Sequence, residues 1–271
     1  MESRVSITIA EGVADVRLVR ADKMNALDAE MFEALVAATD RLAKEKGLRA
    51  VVLSGEGRAF CAGLDMGRFA AMKDKGGNGI PGGEKRDLTV RTHGPANSAQ
   101  QAVWGWRQLP VPVIAAVHGV AFGGGFQLAL GADMRFLSAD ARMSIMEIKW
   151  GLVPDMAGTP ILSSLVRDDI LRDLTFTRRI FSAQEAHAYG LATRICDDPR
   201  GAALEVAREI AAKSPDAIRA AKRMLNNLSV DPGPALLAES VEQQKLIGSP
   251  NQTEAVRANL EKRAANFVDP G

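Results

Sequence analysis

The chain is poor in the residues that build disulfide frameworks and metal sites. Its 271 residues include two cysteines, Cys61 and Cys196, three histidines and one tyrosine. Two cysteines cannot form a disulfide framework, and no CxxC pair or HExxH helix supplies metal-ligand spacing. We therefore expect a reducing compartment and chemistry that uses no metal and no other cofactor.

The chain also lacks a large excess of charge of one sign and a long apolar run. The chain has 34 Lys+Arg against 33 Asp+Glu, and this balance disfavours a nucleic-acid partner. No apolar run approaches the ~18 residues of a membrane span. Residues 1–4 lead straight into an alternating pattern instead of a signal peptide. The sequence predicts a cytoplasmic protein without a membrane or nucleic-acid partner.

What the chain does contain is an alternation of strand and helix patterns, with 46% hydrophobic residues. Period-two alternation predicts a hairpin of strands over 5–9 and 13–19. Helical spacing then follows Asp28, a residue type favoured as an N-cap. Further buried strands are predicted at 49–54, 111–117, 134–138 and 143–147. The pattern indicates an α/β fold with a sheet covered by helices.

Residues after position 200 have helical patterns only, broken at Ser214-Pro215, Pro232-Gly233-Pro234 and Ser249-Pro250. The prediction is an α/β core over 1–200 and a C-terminal helical region over 201–271. Within the core, the glycine-rich stretch 74–83 predicts an exposed loop.

Three glycine-bearing stretches each follow a predicted strand: Phe60–Asp65, His118–Gln127 and Glu147–Asp155. Glycine at such a turn leaves backbone N–H groups uncovered, and these can hold a phosphate or a developing oxyanion. The triplet Gly123-Gly124-Gly125 does not fit GxGxxG, and no GK[ST] follows it. A dinucleotide site or a P-loop is therefore disfavoured.

Five segments in order carry a resemblance to a known family: Lys23–Asp28, Ala59–Asp65, Gly119–Gly125, Glu147 with Gly151–Pro154, and Glu261–Phe267. On these segments the chain from Ile9 to its end resembles the crotonase superfamily of acyl-CoA enzymes. The resemblance implies a ββα spiral core, an acyl-CoA substrate, and a homotrimer or hexamer in which 201–271 forms the trimerisation region. It also implies two backbone N–H groups that bind the thioester oxygen, here those of Ala62 and Gly124.

The same resemblance assigns further residues. Lys23, Ala26 and Asp65 would lie near the coenzyme A nucleotide, and Phe267 would reach the acyl or coenzyme pocket. Hydratases of this family resemble one another in using two glutamates, and the corresponding positions here are Gln127 and Glu147. A carboxamide can position a water molecule but cannot transfer its proton near neutral pH.

Asp155 follows Glu147 by eight residues, a spacing that resembles the dienoyl-CoA isomerase branch. A second interpretation makes Asp155 the N-cap of the following helix. We expect a proton-transferring enzyme that isomerises the double bond of an unsaturated acyl-CoA. The alternatives are an enoyl-CoA hydratase in which Gln127 only orients the water, and a noncatalytic acyl-CoA-binding protein.

Overall fold

The computed structural model describes residues 4–67, 87–213, 215–226, 232–263 and 265. The stretch 74–83 and Phe267 lie outside the described residues. The strands are β1 (Val5–Ala10), β2 (Val13–Leu18), β3 (Ala50–Gly55), β4 (Val113–Val117), β5 (Val120–Phe122), β6 (Met134–Leu137), β7 (Arg142–Ser144), β8 (Phe181–Ser182) and β9 (Arg194–Ile195). The helices are α1 (Ala29–Ala43), α2 (Ser98–Gln108), α3 (Gly124–Leu130), α4 (Gly158–Leu162), α5 (Asp168–Thr177), α6 (Ala183–Ala188), α7 (Pro199–Ala211), α8 (Pro215–Asn226), α9 (Gly233–Leu246) and α10 (Pro250–Glu261), with 3₁₀ turns at Ala21–Lys23 and Glu147–Trp150.

The main sheet has the strand order β1-β2-β3-β4-β6-β9. The predicted hairpin is confirmed, since β1 and β2 pair antiparallel with Val5 opposite Leu18. From β2 onward the neighbouring strands are parallel. Every residue of β3 and β4 is buried, as expected for parallel strands that have both faces covered.

A second sheet has the order β5-β7-β8. Its strands contain two or three residues each, too few for a periodic pattern to indicate them. The predicted strand over 143–147 is wrong at its end, because β7 ends at Ser144 and Glu147 begins a 3₁₀ turn. This small sheet brings the glycine triplet next to Glu147.

Helix α1 begins where the sequence predicts it. The Asp28 side chain accepts a hydrogen bond from the Met31 N–H, which caps the helix. The face of α1 that packs into the core carries Met31, Leu35, Ala38 and Leu42. Its opposite face is free to contribute to the site described below.

The C-terminal region is helical, and its breaks at Pro215, Pro232 and Pro250 fall next to helix starts as predicted. Helix α7 packs Ala203 and Ala207 onto the main sheet, against β3, β4 and β6. Because α7 begins at Pro199, the predicted boundary between 200 and 201 falls inside a helix. No helix among the described residues is long and apolar enough to cross a membrane.

Candidate active site

A cavity of about 1090 Å³ opens between α1, the glycine turn after β5, the 3₁₀ turn at 147–150 and the C-terminal helices. Its wall includes Leu64, Gly124, Glu147 and Asp155. Three of the stretches singled out from the sequence therefore meet at one cavity, although they lie far apart in the chain.

Residues 61–65, which follow β3, lie between β5 and residues 24–27. On one side Cys61 pairs with β5, because its N–H donates to the Val120 carbonyl and its carbonyl accepts from the Phe122 N–H. On the other side the Ala62 N–H donates to the Met24 carbonyl at 2.9 Å. The prediction that the Ala62 amide binds the thioester oxygen is wrong, because this amide is already used inside the fold.

The amide two residues further on has the orientation that the prediction required. The Leu27 N–H donates to the Gly63 carbonyl, and the Asp65 N–H donates to the Leu27 carbonyl. In this parallel bridge the Leu64 N–H points away from Leu27, and within the described residues it has no backbone partner. Leu64 is therefore the candidate donor in this segment.

Gly63 explains the two-residue displacement. Its φ of 89° lies in the left-handed region that favours glycine. In an extended chain successive backbone N–H groups point to opposite sides, and at Gly63 this alternation is reversed. A Cβ added to Gly63 would lie 3.8 Å from the Gly124 nitrogen. The turn at Gly63 thus brings its own segment close to the second predicted donor.

The amide of Gly124 stands at the start of α3, where the first N–H groups of a helix have no partner within the helix. The preceding Gly123, with φ 50°, donates its N–H to the Ser144 carbonyl at 3.0 Å. No backbone acceptor for the Gly124 N–H is present in the described part of the chain. The Leu64 and Gly124 amides thus line one cavity and are open to a shared acceptor.

Glu147 lies against the same turn, since a Cβ added to Gly123 would be 3.3 Å from Glu147 Oε1. Burial raises the pKa of the Glu147 carboxyl to about 7, although a hydrogen bond from Gln127 partly opposes this shift. Oε1 accepts from Gln127 Nε2 at 2.7 Å. Oε2 is buried and has no hydrogen-bond partner among the described residues. A carboxyl group with this pKa can accept and return a proton near neutral pH.

The Gln127 side chain is held by hydrogen bonds within the fold. Its side chain is 1% exposed, and Oε1 accepts hydrogen bonds from the N–H groups of Met156 and Gly158 at 2.9 and 3.0 Å. The amide nitrogen is bound to Glu147. The carboxamide therefore connects Glu147 to the turn before α4 and fixes the orientation of the carboxyl group.

Asp155 is half-buried and shares the cavity wall with Glu147. The N-cap interpretation of Asp155 is wrong, because the N-cap of α4 is Ala157 and the Gly158 N–H at the start of the helix donates to Gln127 Oε1. The structure thus brings both predicted carboxyl groups to one cavity.

The residues expected near the coenzyme A nucleotide lie beside the cavity. Lys23 is exposed next to Met24, which lines the cavity. Both backbone polar groups of Ala26 are bound within the fold, to Lys23 and to Arg20. Burial opposes the ionisation of Asp65, but hydrogen bonds from Arg20 Nη1 at 2.6 Å and from the Gly67 N–H, together with the charges of Arg20 and Lys23, outweigh it and lower the pKa of Asp65. Ala26 and Asp65 thus order this edge of the site through Arg20.

Sequence analysis assigned no role to several residues of the cavity wall. His93 and Arg178 lie outside every motif, and Lys149 lies in the Glu147–Asp155 stretch, where no role was given to it. Cys61, in contrast, is a buried thiol that donates to the Asn25 carbonyl. Burial raises the pKa of the Cys61 thiol to about 12, which leaves it protonated at neutral pH.

The fold is that of the crotonase-type acyl-CoA enzymes, and the two open amides near a buried carboxyl group agree with this class. Residues 8–270 match the family model described as enoyl-CoA hydratase/isomerase. The chain therefore belongs to the enoyl-CoA hydratase/isomerase family, and it is an enzyme of the hydratase/isomerase type.

Two relatives and one solved structure illustrate the range of the family. The chain is 34% identical to the enoyl-CoA hydratase EchA19 of Mycobacterium tuberculosis, over 93% of this chain and 91% of the relative. It is 30% identical to a peroxisomal Δ(3,5)-Δ(2,4)-dienoyl-CoA isomerase of Arabidopsis thaliana, over 92% and 90%. The crystal structure of an enoyl-CoA hydratase/isomerase from Pseudoalteromonas atlantica superimposes with a TM-score of 0.84 at 28% identity, over 98% and 100%.

Proposed function

We propose that this enzyme isomerises the double bond of an unsaturated acyl-CoA, with Glu147 as the proton-transferring base. The observation that supports this reaction is the single free oxygen of the Glu147 carboxyl, held in place by a carboxamide where a hydratase-like pair would have a second carboxylate. The N–H groups of Leu64 and Gly124 bind the thioester oxygen.

The reaction conserves protons within the site. Glu147 Oε2 removes a proton from C2 of a 3-enoyl thioester, and the electron pair delocalises onto the thioester oxygen as a dienolate. The two amides stabilise this oxyanion more than the ground-state carbonyl. Return of the proton to C4 gives the 2-enoyl thioester. The chain's own groups suffice for these steps, so we propose no additional cofactor.

The cavity position of Asp155 supports an extension to 3,5-dienoyl substrates. The two carboxyl groups would then serve opposite ends of the conjugated system, one removing a proton and the other delivering one. A relative named dienoyl-CoA isomerase is consistent with this extension.

The second candidate is hydration of a 2-enoyl-CoA, which the relative named as a hydratase favours. Glu147 alone would then orient the water and transfer its proton, because the Gln127 carboxamide is bound to the turn before α4. Absence of the second general acid–base group typically costs about 10²–10⁴-fold in rate, so we expect hydration to be the slower reaction.

Two further expectations from the sequence belong to this proposal. We propose that the chain assembles as a homotrimer or a hexamer of two trimers through its C-terminal region. We also propose a cytoplasmic location, supported by the scarcity of cysteine.

The test compares hydration of crotonyl-CoA with isomerisation of 3-hexenoyl-CoA and 3,5-octadienoyl-CoA. We expect the wild type to isomerise faster than it hydrates. Glu147→Gln should lower all three rates by about 10²–10⁴-fold, and Asp155→Asn should lower mainly the dienoyl reaction. Glu33→Gln is a matched control, because Glu33 is another carboxyl group on the cavity wall but lies on α1.

Two results would contradict the proposed isomerase activity. Hydration that is faster than either isomerisation would replace the proposal with the hydratase alternative. Binding of all three thioesters without turnover would identify a noncatalytic acyl-CoA-binding protein.

A further inference from the structure

Two cations stand together on the cavity wall, outside the machinery described above. Lys149 and Arg178 both line the cavity that Glu147 and Asp155 share. The 3₁₀ turn that carries Lys149 packs against α5, and Arg178 lies at the end of that helix. Burial lowers the pKa of Lys149, and the positive charge of Arg178 lowers it further. Neither side chain forms an ion pair within the described part of the chain.

Lys149 is held by the 3₁₀ turn that carries Glu147. The Asn259 side chain donates to the Lys149 carbonyl at 2.6 Å, which connects this turn to α10. The Lys149 Nζ lies 4.9 Å from the centre of the Trp150 ring. An aromatic face attracts a cation but adds no opposite charge, so Lys149 can still bind an anion.

Arg178 is held at the end of α5 in an unusual conformation. Its φ and ψ are 50° and 18°, a left-handed position at a helix end where glycine is favoured. The backbone of Arg178 is therefore strained, and its guanidinium group lies on the cavity wall. The Ser144 hydroxyl donates to the Arg178 carbonyl at 2.8 Å, and the Ser144 carbonyl accepts from Gly123. Arg178 is thus anchored to the same turn that presents the Gly124 amide.

No carboxyl group on the cavity wall forms an ion pair with either cation within the described part of the chain. These carboxyl groups are Glu33, Asp40, Asp87, Glu147 and Asp155. Two adjacent cations gain most from a ligand whose two oxygens share one negative charge, because each can then form a charge-assisted hydrogen bond. A carboxylate has this geometry.

We propose that Lys149 and Arg178 bind a carboxylate carried by the acyl group, so that the preferred substrates are coenzyme A half-thioesters of dicarboxylic acids. The proposal rests on the proposed function for the thioester end of the substrate. It adds a specificity site for the acyl group, formed by residues that take no part in the proton transfer.

Coenzyme A carries phosphate groups that could also meet these cations, and the test separates the two sources. Isothermal titration calorimetry at constant ionic strength compares glutaryl-CoA with pentanoyl-CoA, adipyl-CoA with hexanoyl-CoA, and free coenzyme A. These acyl chains are saturated, so binding is measured without any proton transfer. Failure here would leave the isomerase and hydratase comparison intact.

We expect the wild type to bind at least one dicarboxylic half-thioester about tenfold or more tightly than its partner without the carboxylate. Lys149→Met and Arg178→Gly should each reduce this ratio to about one. Arg178→Gly also relieves the left-handed backbone, so loss of fold does not confound it. Arg208→Gln removes an exposed cation on α7, away from the cavity, and should retain the wild-type ratio.

Two results would overturn the proposal. One is a wild-type ratio below about twofold for both pairs. The other is an equal loss of affinity for free coenzyme A and for all four thioesters in Lys149→Met and Arg178→Gly, which would assign the cations to the phosphates.

Discussion

Glu147 is a residue whose ionisation acts on both stability and rate. In the unfolded chain its pKa is near 4.5, and burial raises it to about 7 in the folded protein. Stability from this group is therefore complete below pH 4.5 and is lost as the pH rises through about 7, because the folded protein must then hold a buried charge. The ionised form is the base, so the isomerisation rate should rise over the same interval.

As the pH rises, the stability contribution of Glu147 should fall while the isomerisation rate rises, and the fall in stability can be measured. Relative to Glu147→Gln, the wild type should lose stability on the order of 3 kcal/mol between pH 5 and pH 8. Melting temperatures at the two pH values measure this difference. Glu30→Gln, at an exposed position of α1, is the control and should show no such change. An equal melting difference at both pH values would contradict a raised pKa.

Among the elements, the turn at Gly63 has a measurable role in catalysis. Its φ is 89°, and an added Cβ would lie 2.5 Å from the Phe122 carbonyl oxygen. Gly63→Ala should therefore displace the Leu64 amide and lower the isomerisation rate by about 10²–10³-fold, the usual effect of losing one oxyanion donor.

Gly47 provides the matched control for this substitution. Its φ of 81° is similar, but an added Cβ would meet nothing within 4 Å. Gly47→Ala should cost about 1–3 kcal/mol of stability from backbone strain and leave the rate unchanged. Equal rate losses in the two variants would show that strain alone, and not the position of the Leu64 amide, lowers the activity.

The same turn shows what sequence reasoning can and cannot find at this scale. The hairpin, α1 and the buried β3 follow from periodicity and from the Asp28 cap, because burial fixes their patterns. The resemblance indicated Ala62, and the structure indicates Leu64 instead because of one dihedral angle at Gly63, which a sequence does not display. Lys149 and Arg178 were missed for another reason, since only tertiary packing brings the 3₁₀ turn at 147–150 and the end of α5 together.

At the scale of the whole molecule, Lys222 joins the C-terminal region to the core. Its ammonium group donates to Asp133 Oδ2 at 2.8 Å and to the Val111 carbonyl at 2.8 Å, and the same Asp133 oxygen accepts from the Val113 N–H. The Lys222 side chain is 5% exposed. The buried ammonium group of Lys222 thus binds helix α8 to the beginning of β4.

Lys222→Met should lower the free energy of unfolding by about 3–5 kcal/mol, because it leaves the Asp133 carboxylate without its partner. We expect one cooperative transition in urea that shifts as a whole, since α7 and α8 both pack on the core. Lys46→Met, at an exposed site, should change little. Two separate transitions would instead support the predicted division of the chain near residue 200.

The crossing of the 61–65 segment between the 24–27 segment and β5 has a consequence for how the enzyme folds. The amides of Leu64 and Gly124 come from distant parts of the chain and are brought together by hydrogen bonds between three backbone segments. A collapsed intermediate that has formed the main sheet but not the β5-β7-β8 sheet would lack the oxyanion site. Recovery of activity after dilution from urea therefore requires the β5-β7-β8 sheet as well as the main sheet, whereas a signal from the secondary structure of the main sheet does not.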